Sequence, residues 1–504
     1  MFCSVHTCSL IGASGCPIRT ETTLYNGLPY FGIVGLPDSV VKESKERIRA
    51  AIASSGLAWP SRRITVNLAP AHIRKGGSGF DFPIAISILC SQGMIPTDDQ
   101  SPLAHSMLVG ELSLNGELRP VHGTLIMAAC ARDQHLERIL VPAENAYEAS
   151  FIPDIQVIPV HTLGEAVRYL QRLDDIVPTP FHTFSSESPD LASIAVLRGQ
   201  PMALRALTVA AAGGHSVLLW GPPGTGKTMA AKALHALLPS PSESELMETA
   251  FIYSSLGLPI PAHRPFRAPH HTISSYALIG GGYPIHPGEI TLSHQGVLFM
   301  DELPEFSRAT LEALRQPMEE HRIRVDRVQQ SADLPADFIL IGSMNPCPCG
   351  FYPDRSRCRC SPGQIRRYLQ PLRSPLFDRI DLGIHMDTPE YDALTPADYG
   401  QANELRRMVE AAVIRQKERY NGLSIEKNAR IPVEQLSTYC HLDVSCDAFM
   451  KKAYNAYHLS IRGYHRVLKT ARTIADLDGS ESIELPHLQE ALQLRSLEIL
   501  ENIG

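Results

Sequence analysis

The sequence predicts an α/β protein whose central part is a doubly wound parallel sheet, and three observations lead to that prediction. Short apolar runs at 215–220, 296–302 and 337–345 (HSVLLW, GVLFMDE and DFILIGSMN) alternate with helical segments, as in sheets that carry helices on both faces. The first run leads directly into a glycine-rich turn, GPPGTGKT, and then into the helical segment MAAKALHALL. From about Tyr391 the pattern changes to long helical segments, which predicts a helical C-terminal domain.

An N-terminal α/β module precedes this sheet. RRITVNLAPA at 62–71 predicts a strand, DSVVKESKERIRAAIASSG at 38–56 an amphipathic helix, and DFPIAISILCSQG at 81–93 a buried helix. The segment DIVPTPFHTFSSESPD is rich in Pro, Ser and Thr, as linkers are. The predicted divisions are an N-terminal domain at 1–175, a linker at 176–190, a central domain at 191–390 and a helical domain at 391–504.

Length and composition limit the class of protein. A chain of 504 residues corresponds to about three domains. A content of 44% hydrophobic and 20% charged residues is typical of a soluble globular protein, and no apolar run approaches the ~18 residues of a membrane span. The N-terminal segment lacks the pattern of a signal peptide, so we expect a cytoplasmic protein without a membrane partner. A net charge of −7 excludes a uniformly basic surface, so any contact with nucleic acid has to be local.

The turn after the first apolar run is a phosphate-binding loop. Two glycines four residues apart, followed by Lys227 and Thr228, let backbone N–H groups point at phosphate oxygens at the positive end of the next helix. We expect Lys227 to neutralise the β- and γ-phosphates of ATP, and Thr228 to coordinate Mg²⁺. The loop consists of Gly221, Pro222, Pro223, Gly224, Thr225, Gly226, Lys227 and Thr228.

Two acidic residues end the second apolar run. Asp301 is placed to bind Mg²⁺, and Glu302 to polarise the water that attacks the γ-phosphate. The alternative is an acidic cap of the next helix, since DELPEFS opens a helical segment. With a phosphate loop upstream, the catalytic interpretation is favoured.

Three further side chains are candidates for the same reaction. Asn345 ends the third apolar run, where it could orient the attacking water or sense the γ-phosphate; it could equally be a turn former before Pro346. Arg379 lies between two acids in SPLFDRID, either in a salt bridge within the chain or as an arginine finger on the ATP of a neighbouring copy. Arg462, in the helical segment SIRGYHRVLKTAR, could reach the γ-phosphate from the C-terminal domain, as could Arg466 or Arg472.

A cysteine-rich segment follows Asn345. MNPCPCGFYPDRSRCRC contains four of the eleven cysteines, Cys347, Cys349, Cys358 and Cys360, as two Cys-x-Cys pairs. Four thiolates on one short loop are enough for a closed tetrahedral Zn²⁺ site, although the spacing differs from the commoner Cys-x₂-Cys. The alternative is four structural or redox-active thiols. A zinc ion here would be structural.

Taken together, these motifs resemble the ComM/YifB family of magnesium-chelatase-like AAA+ ATPases. The segments GPPGTGKT, LFMDELPEF, SMNPCPCG, PLFDRIDL and IRGYHRVLKTARTIADL carry the resemblance, and it covers essentially the whole chain. It implies an AAA+ fold with a helical C-terminal lid. It also implies an ATP-driven, Mg²⁺-dependent homo-hexameric ring that remodels DNA, with branch migration in natural transformation as the role of the ComM members.

The same resemblance implies roles for individual residues. Lys227 and Thr228 match Walker A, Asp301 and Glu302 match Walker B, and Asn345 matches sensor 1; Arg379 matches the finger and Arg462 sensor 2. Gln200 lies where the family approaches the nucleotide base. Two segments resemble the pore-facing insertions, which would contact DNA without sequence preference through Arg264, Arg267, Arg322, Arg324 and Arg327. The alternative for HRIRVDR is a solvent-facing hairpin with alternating charges.

The N-terminal module resembles the proteolytic domain of Lon proteases, through KGGSGFDFPIAISIL and GELRPVHGTLIMAACARDQHLERILVPAENAYEAS. Proteolysis needs a serine nucleophile with a lysine base within reach. Ser78 is offset from the nucleophile position, and no lysine occurs between Thr124 and Ala131, where that family has its base. We therefore expect no protease activity.

The leading hypothesis is an ATP-dependent hexameric DNA motor that acts as a branch migration helicase on single-stranded or branched DNA. The arginine-bearing segments favour it. The alternative from a different class is a chelatase-type AAA+ motor that remodels a protein partner.

Overall fold

A computed structural model describes residues 2–185, 190–282, 285–327, 330–372, 376–389, 391, 397–423 and 425–495 of the chain; within these ranges, the side chains of Arg327, Gln330 and Phe377 are not described. The fold is mixed α/β with two main sheets, as the sequence predicts. None of the described helices combines the length and the apolar character that crossing a membrane requires. The predicted domain boundaries and the cytoplasmic location stay predictions.

The N-terminal domain is built on a seven-stranded mixed sheet. The strands of this domain are β1 (Phe2–Ile11), β2 (Ser14–Tyr25), β3 (Tyr30–Val34), β4 (Arg63–Ala69), β5 (Ser106–Leu108), β6 (Glu111–Leu112), β7 (Leu118–Arg119), β8 (Arg138–Pro142) and β9 (Gln156–Val160). The sheet order is β3-β4-β2-β1-β5-β8-β9, while β6 and β7 pair separately. The β1–β2 and β2–β4 pairs are antiparallel, and the others in this sheet are parallel.

Five helices accompany this sheet: α1 (Ser39–Ser54), α2 (Asp81–Ser91), α3 (Thr124–Asp133), α4 (Ala146–Ala149) and α5 (Leu163–Leu170). The helix α1 begins after Asp38, whose side chain accepts a hydrogen bond from the Val41 N–H at 2.8 Å. All residues of α2 are buried, because it packs against β1, β2 and α1. Both helices and the strand β4 were predicted from the sequence.

The central domain contains a five-stranded parallel sheet. Its strands, with those of two small hairpins, are β10 (Val217–Trp220), β11 (Phe266–Arg267), β12 (Gly280–Gly281), β13 (His286–Pro287), β14 (Val297–Met300), β15 (Arg322–Arg327), β16 (Gln330–Pro335), β17 (Ile339–Met344) and β18 (Leu382–His385). The order β11-β14-β17-β10-β18 puts β10 between two strands that follow it in the chain. All four pairings are parallel, so the carboxyl ends of the strands share one edge.

The helices of the central domain are α6 (Ala192–Ala195), α7 (Pro201–Gly213), α8 (Lys227–Leu237), α9 (Glu243–Ser255), α10 (Ser275–Ile279), α11 (Glu289–Leu292), α12 (Arg308–Ala313), α13 (Arg315–Glu320) and α14 (Pro362–Leu369). The helix α9 begins with a capping box between Ser242 and Glu245. It packs against α3, and the Ser254 hydroxyl donates a hydrogen bond to Glu148. These contacts join the N-terminal domain to the central domain.

The C-terminal domain is helical, as predicted: α15 (Tyr399–Arg419), α16 (Leu436–Tyr439), α17 (Val444–Ala456), α18 (Ile461–Leu477) and α19 (Leu485–Gln493). The helices α15 and α18 pack on each other and on α7 of the central domain. A buried polar cluster fixes this contact: the Asp476 carboxylate accepts hydrogen bonds from Arg419, Arg472 and Asn428. The helical and central domains therefore share one hydrophobic core.

Candidate nucleotide site and cysteine knuckle

The predicted phosphate loop lies between β10 and α8. Gly221 has to be a glycine, because a Cβ there would lie 2.1 Å from the Met386 carbonyl oxygen. Gly226 precedes α8 at φ +90°, a left-handed conformation that glycine adopts without strain. The chain thus turns from the strand to the first helical residue, Lys227, with its N–H groups at the open end of the sheet.

Sheet register brings the other predicted residues to this edge. The strand β17 pairs with both β10 and β14, so that Trp220 is opposite Met344 and Met300 opposite Gly342. Asp301 and Asn345, each just past its strand, therefore come to the same edge as the loop. Together these segments line a cavity of about 390 Å³, formed by Pro223, Gly224, Thr225, Gly226, Lys227, Thr228, Asp301, Glu302, Ser343, Met344 and Asn345.

The Lys227 ammonium is at the centre of this cavity. Its Nζ donates to the carbonyl oxygens of Gly221 and Pro222, each at 2.8 Å, and to Asn345 Oδ1 at 3.2 Å. Burial lowers the pKa of Lys227, while the charges of Asp301 and Glu302 act in the opposite direction. An anionic ligand in the cavity would favour the charged ammonium, which is what phosphate binding needs.

Asp301 and Glu302 are held by a serine that the sequence analysis missed. The Ser343 hydroxyl donates to Asp301 Oδ1 and lies 3.4 Å from the Glu302 N–H, which also donates to Asp301 Oδ1 at 3.1 Å. Glu302 has the left-handed conformation φ +53°, ψ +50°, uncommon for a residue other than glycine. Its carboxylate is 3.6 Å from His271 Nδ1 and 56% exposed, so a water molecule can reach it.

Arg379 and Arg462 lie together in a different cavity, of about 340 Å³. Arg379 is 5% exposed and pairs with Glu319 at 2.6 Å, and Arg462 is 4.0 Å from the same carboxylate. Among the described residues, neither arginine lines the phosphate-loop cavity. The salt bridge within the chain, one of the two interpretations of Arg379, is thus present in this conformation.

The two other arginines of α18 have structural partners. Arg466 pairs with Asp381, which also accepts a hydrogen bond from the Ser216 N–H at 2.9 Å. Burial alone would raise the pKa of Asp381, but the charges of Arg466 and His215 hold it well below its ordinary value. Arg472 is buried beside Asp476 at 3.0 Å, so it is a packing residue of the C-terminal domain.

Gln200, predicted near the nucleotide base, precedes α7. Its side chain is buried, and its amide donates to the Asp387 carbonyl just after β18. It is not among the side chains that line the phosphate-loop cavity within the described part of the chain.

The four cysteines of the knuckle come together as predicted for a metal site. The Sγ–Sγ distances are 3.4 Å for Cys347–Cys349, 3.7 Å for Cys347–Cys358 and 3.6 Å for Cys349–Cys358, and all four sulfurs, including that of Cys360, lie within 4.8 Å of one another. Sulfurs about 2.3 Å from a tetrahedral zinc ion are about 3.8 Å apart, so the spacing fits Zn²⁺.

The pKa values of two knuckle thiols are shifted in opposite directions. The Phe351 N–H lowers the pKa of Cys349 to about 6, whereas burial and then neighbouring thiols raise the pKa of Cys360 to about 12. Four thiolates so close together repel one another, and a divalent cation removes that repulsion.

Two arginines of the predicted DNA surface are paired with carboxylates of the same chain. Arg264 is 8% exposed, and its guanidinium donates to both Glu245 oxygens at 2.9 Å and to the Gln295 carbonyl at 2.8 Å. Arg267 forms two hydrogen bonds of 2.7 Å with Glu289. In both cases a carboxylate of the same chain pairs with the guanidinium, and contact of these two arginines with DNA stays a prediction.

The second predicted segment forms the hairpin β15–β16. Ile323 and Val325 face the core, while Arg322 and Arg324 are exposed. Arg324 pairs with Asp326 at 3.2 Å and is opposite Asp333 on β16, as expected for a hairpin with alternating charges. The predicted contact through Arg327 falls on a side chain outside the described part of the structure.

The Lon-like features of the N-terminal domain include one buried lysine. Lys75 is fully buried, and its Nζ donates to the Pro70 carbonyl oxygen. The helix α3 carries no lysine, and the half-buried Ser78 lies just before α2.

Comparison with known proteins gives matches along the whole chain. Family models described as Magnesium chelatase, subunit ChlI; Subunit ChlI of Mg-chelatase; and Magnesium chelatase, subunit ChlI C-terminal match residues 190–394, 20–145 and 400–495. The competence protein ComM of Haemophilus influenzae is 41% identical, over 98% of this chain and 97% of its own length. The YifB protein of Escherichia coli is 38% identical over the same shares, and Lon protease 2 of Bacillus subtilis is 29% identical over 32% of this chain and 34% of its own.

Proposed function

The chain belongs to the ComM/YifB family of magnesium-chelatase-like AAA+ proteins, and from this premise we propose that it is an ATPase that moves along DNA as a ring of identical subunits. One observation carries the proposal. Among the residues that the structure describes, no arginine lines the cavity with the phosphate loop and the Walker B acids, while Arg379 and Arg462 lie together in a second cavity. A site divided in this way is completed when two copies meet.

Binding of ATP uses the loop and Lys227. The N–H groups of the loop and the start of α8 receive the phosphate oxygens, and the Lys227 ammonium exchanges its carbonyl partners for the β- and γ-phosphates. Thr228 and Asp301 are the residues that would hold Mg²⁺, which supplies positive charge between the phosphate groups when bound. Ser343 keeps the Asp301 carboxylate in place for this role.

Hydrolysis uses Glu302 and Asn345. The Glu302 carboxylate accepts a proton from the attacking water, whose oxygen forms the new bond to the γ-phosphorus as the bond to the bridging oxygen breaks and ADP departs with that electron pair. Asn345, which already touches Lys227, is placed to orient this water or the γ-phosphate.

Arg379 and Arg462 stabilise the charge that develops on the ATP of the neighbouring subunit. The negative Glu319 holds both guanidiniums near each other in the isolated chain. A γ-phosphate presented by a neighbour carries more negative charge than this carboxylate and competes with it for the same two arginines.

The work done with ATP is movement of DNA. The name of the H. influenzae relative, a competence protein, supports a role in the uptake or recombination of DNA, and branch migration on single-stranded or branched intermediates is the activity we infer. A second candidate, ATP-driven remodelling of a protein partner, is favoured by the family models, which are described for a magnesium chelatase subunit.

A structural zinc ion in the knuckle is part of the proposal. Cys347, Cys349, Cys358 and Cys360 would hold it as a closed set of four ligands, so the ion would stabilise the loop after Asn345 and take no part in hydrolysis.

The test is strand exchange on a labelled three-strand or four-way DNA junction, with ATP turnover measured with and without DNA. We expect ATP-dependent release of the labelled strand and faster turnover with DNA, and neither in Lys227→Ala. Turnover that is indifferent to DNA, with no strand released, would overturn the DNA motor and leave the remodelling of a protein partner.

A further inference from the structure

The segment 351–368, FYPDRSRCRCSPGQIRRY, combines the knuckle with the helix α14 and is strongly basic. It contains five arginines and one acidic residue, in a chain whose net charge is −7. The five are Arg355, Arg357, Arg359, Arg366 and Arg367, and all are exposed. We call this set the knuckle surface.

The backbone under the knuckle surface is fixed from both sides. Cys347 and Cys358 are buried at the base of the loop. The helix α14 begins with a capping box between Ser361 and Gln364, and it buries Ile365 and Leu369 against the core. One face of α14 is buried, and its two arginines, Arg366 and Arg367, are exposed to solvent, as are the arginines of the loop.

Aromatic rings orient two of the guanidiniums. Arg357 lies over the Phe351 ring at 4.0 Å from its centroid, and Arg355 lies over the Tyr352 ring at 5.0 Å. A guanidinium stacked on a ring keeps its N–H groups at its edges, available for two parallel hydrogen bonds to a phosphate.

The arginines of the knuckle surface differ in their partners from the arginines of the two segments predicted to contact DNA. Within the part of the chain that the structure describes, none of its five arginines forms an ion pair, whereas Arg264, Arg267 and Arg324 all do. The single acidic residue, Asp354, accepts hydrogen bonds from Ser356 N–H and Oγ at 2.9 and 2.6 Å. The segment therefore carries an excess of positive charge, five arginines against Asp354, whose pKa is lowered first by its hydrogen bonds from Ser356 and also by the charge of Arg357.

We propose that the knuckle surface binds the phosphodiester backbone of DNA. This inference rests on the proposed function and specifies where its substrate is held. Guanidiniums match phosphate groups in charge and geometry, and the surface offers no groove-reading helix, so binding will not depend on base sequence.

The loop and the helix that carry the knuckle surface contact the nucleotide site. A Cβ at Gly350 would lie 2.7 Å from Pro223 Cδ, so the knuckle packs directly on the phosphate loop. The hydroxyl of Tyr368, on α14, lies near the backbone of Asn345, whose N–H acts to lower the pKa of Tyr368 against the larger effect of burial. A shift of the phosphate loop or of Asn345 on hydrolysis would thus move the DNA-binding arginines with it.

The test compares three variants of the full-length protein by fluorescence anisotropy with labelled oligothymidine over a range of salt concentrations. In the first variant, Arg355, Arg357 and Arg359 are replaced by Gln. Each lost phosphate contact lowers the slope of log K against log salt by about 0.7 on single strands, so we expect a slope smaller by about 2 and binding about 100-fold weaker near 0.1 M salt. Replacement of the same residues by Lys keeps the charge and should restore most of the slope.

The matched control replaces Arg49, Arg62 and Arg63 by Gln. These are also three exposed arginines, and Arg63 likewise lies over a ring, that of Tyr30 at 4.9 Å. We expect its DNA binding and salt slope to equal those of the parent.

The outcomes separate this proposal from the proposed function. If the parent binds DNA and the Gln variant binds it with the same affinity and salt slope, the knuckle surface is refuted while the DNA motor stands. If the parent binds no DNA, both fall together. If the Gln variant binds DNA normally but fails to assemble with other copies, the surface is a subunit contact and the proposal is overturned.

Discussion

Glu302 illustrates how one residue can be held in an uncommon conformation at the site of a reaction. Its backbone is left-handed, its N–H faces Ser343 and Asp301, and its carboxylate is near His271. Such conformations cost about 1–3 kcal/mol and persist only where the surroundings impose them. The strain is consistent with a carboxylate that has to face the γ-phosphate rather than cap the following helical turn.

Glu302→Gln removes the base without changing the shape of the side chain. We expect ATP turnover to fall by about 10²–10⁴-fold with unchanged nucleotide affinity, because the amide cannot accept a proton from water. Turnover and the binding of a fluorescent ATP analogue would be measured on the same preparation. Glu305→Gln, at an exposed acid three residues on, is the control and should turn over normally; full activity in Glu302→Gln would refute the role of Glu302.

Three residues that contact the predicted site residues were not predicted from the sequence, and none of them belongs to a motif. Ser343 reaches Asp301 across 42 positions of sequence, and His271 and Glu319 reach Glu302 and Arg379 from other elements. A serine, a histidine or a glutamate has no motif of its own. Only the pairing of β14 with β17 puts Ser343 beside Asp301, whereas the phosphate loop is recognisable because its chemistry is contained in eight consecutive residues.

At the scale of elements, the strands β4, β10, β14 and β17 and the long helices could be predicted because their apolar patterns are local, and the hairpin β15–β16 was one of two interpretations of its segment. The role of Arg264 could not, since its partner Glu245 belongs to α9 and only the packed structure brings them together. The sequence shows which arginines exist, but the fold decides which carboxylate pairs with each. The knuckle surface is therefore proposed in addition to the predicted insertions, whose contact with DNA stays a prediction.

The knuckle should contain one zinc ion per chain, which elemental analysis of the purified protein would measure. Cys358→Ser removes a buried ligand, and we expect the bound zinc to be lost, because the remaining three thiolates leave the tetrahedral site open. Cys440→Ser, at a buried thiol outside the knuckle, should leave the metal content unchanged. Absence of stoichiometric zinc from the parent protein would contradict the metal site.

The junction between α13 and the hairpin predicts an acid sensitivity. Burial, and then the charge of Arg430, lower the pKa of His321 to about 4, with Lys427 and Lys469 acting in the same direction and Asp337 opposing them. A lowered pKa means that the fold prefers the neutral ring. The neutral His321 ring therefore contributes its full stability to the folded state above the ordinary histidine pKa of about 6.5. This contribution is lost as the pH falls from there towards about 4, because the unfolded chain binds the proton more readily.

The measurement is the free energy of unfolding in urea at pH 7 and pH 5. Relative to His321→Asn, which tolerates the left-handed φ of +56° and does not titrate, the parent should lose about 2 kcal/mol more on acidification. The side chain is 31% exposed, so solvent screening makes this an upper value. The exposed His72→Asn is the control; equal losses in the parent and in His321→Asn would contradict the assignment.

At the scale of the whole molecule, the separation of the two cavities determines what a single chain can do. The helix α18 carries Arg462 and packs on α7 and α15, and Arg462 lines the same cavity as Arg379. In this conformation the arginine pair and Lys227 line separate cavities. In the proposed ring, the arginine cavity of each copy faces the phosphate loop of the next copy. Such a contact joins two different surfaces of the chain, and repeating this heterologous contact closes a cyclic oligomer.

Mixing two inactive variants tests this division. Lys227→Ala destroys the phosphate site but supplies a normal arginine pair, while Arg379→Ala keeps the phosphate site and lacks the finger. In a randomly mixed ring at equal amounts, about one contact in four joins an intact phosphate site to an intact arginine, so we expect about a quarter of the parental ATP turnover from two preparations that are each inactive. The control mixture of Lys227→Ala with Glu302→Gln should remain inactive, because both changes damage the same side of every contact.

The Arg379→Ala protein has to bind ATP and assemble for this test. If it does both and neither mixture recovers ATP turnover, Arg379 does not act across the contact. Loss of ATP binding in Arg379→Ala alone would assign the residue to the nucleotide site of its own subunit and contradict its role as a finger.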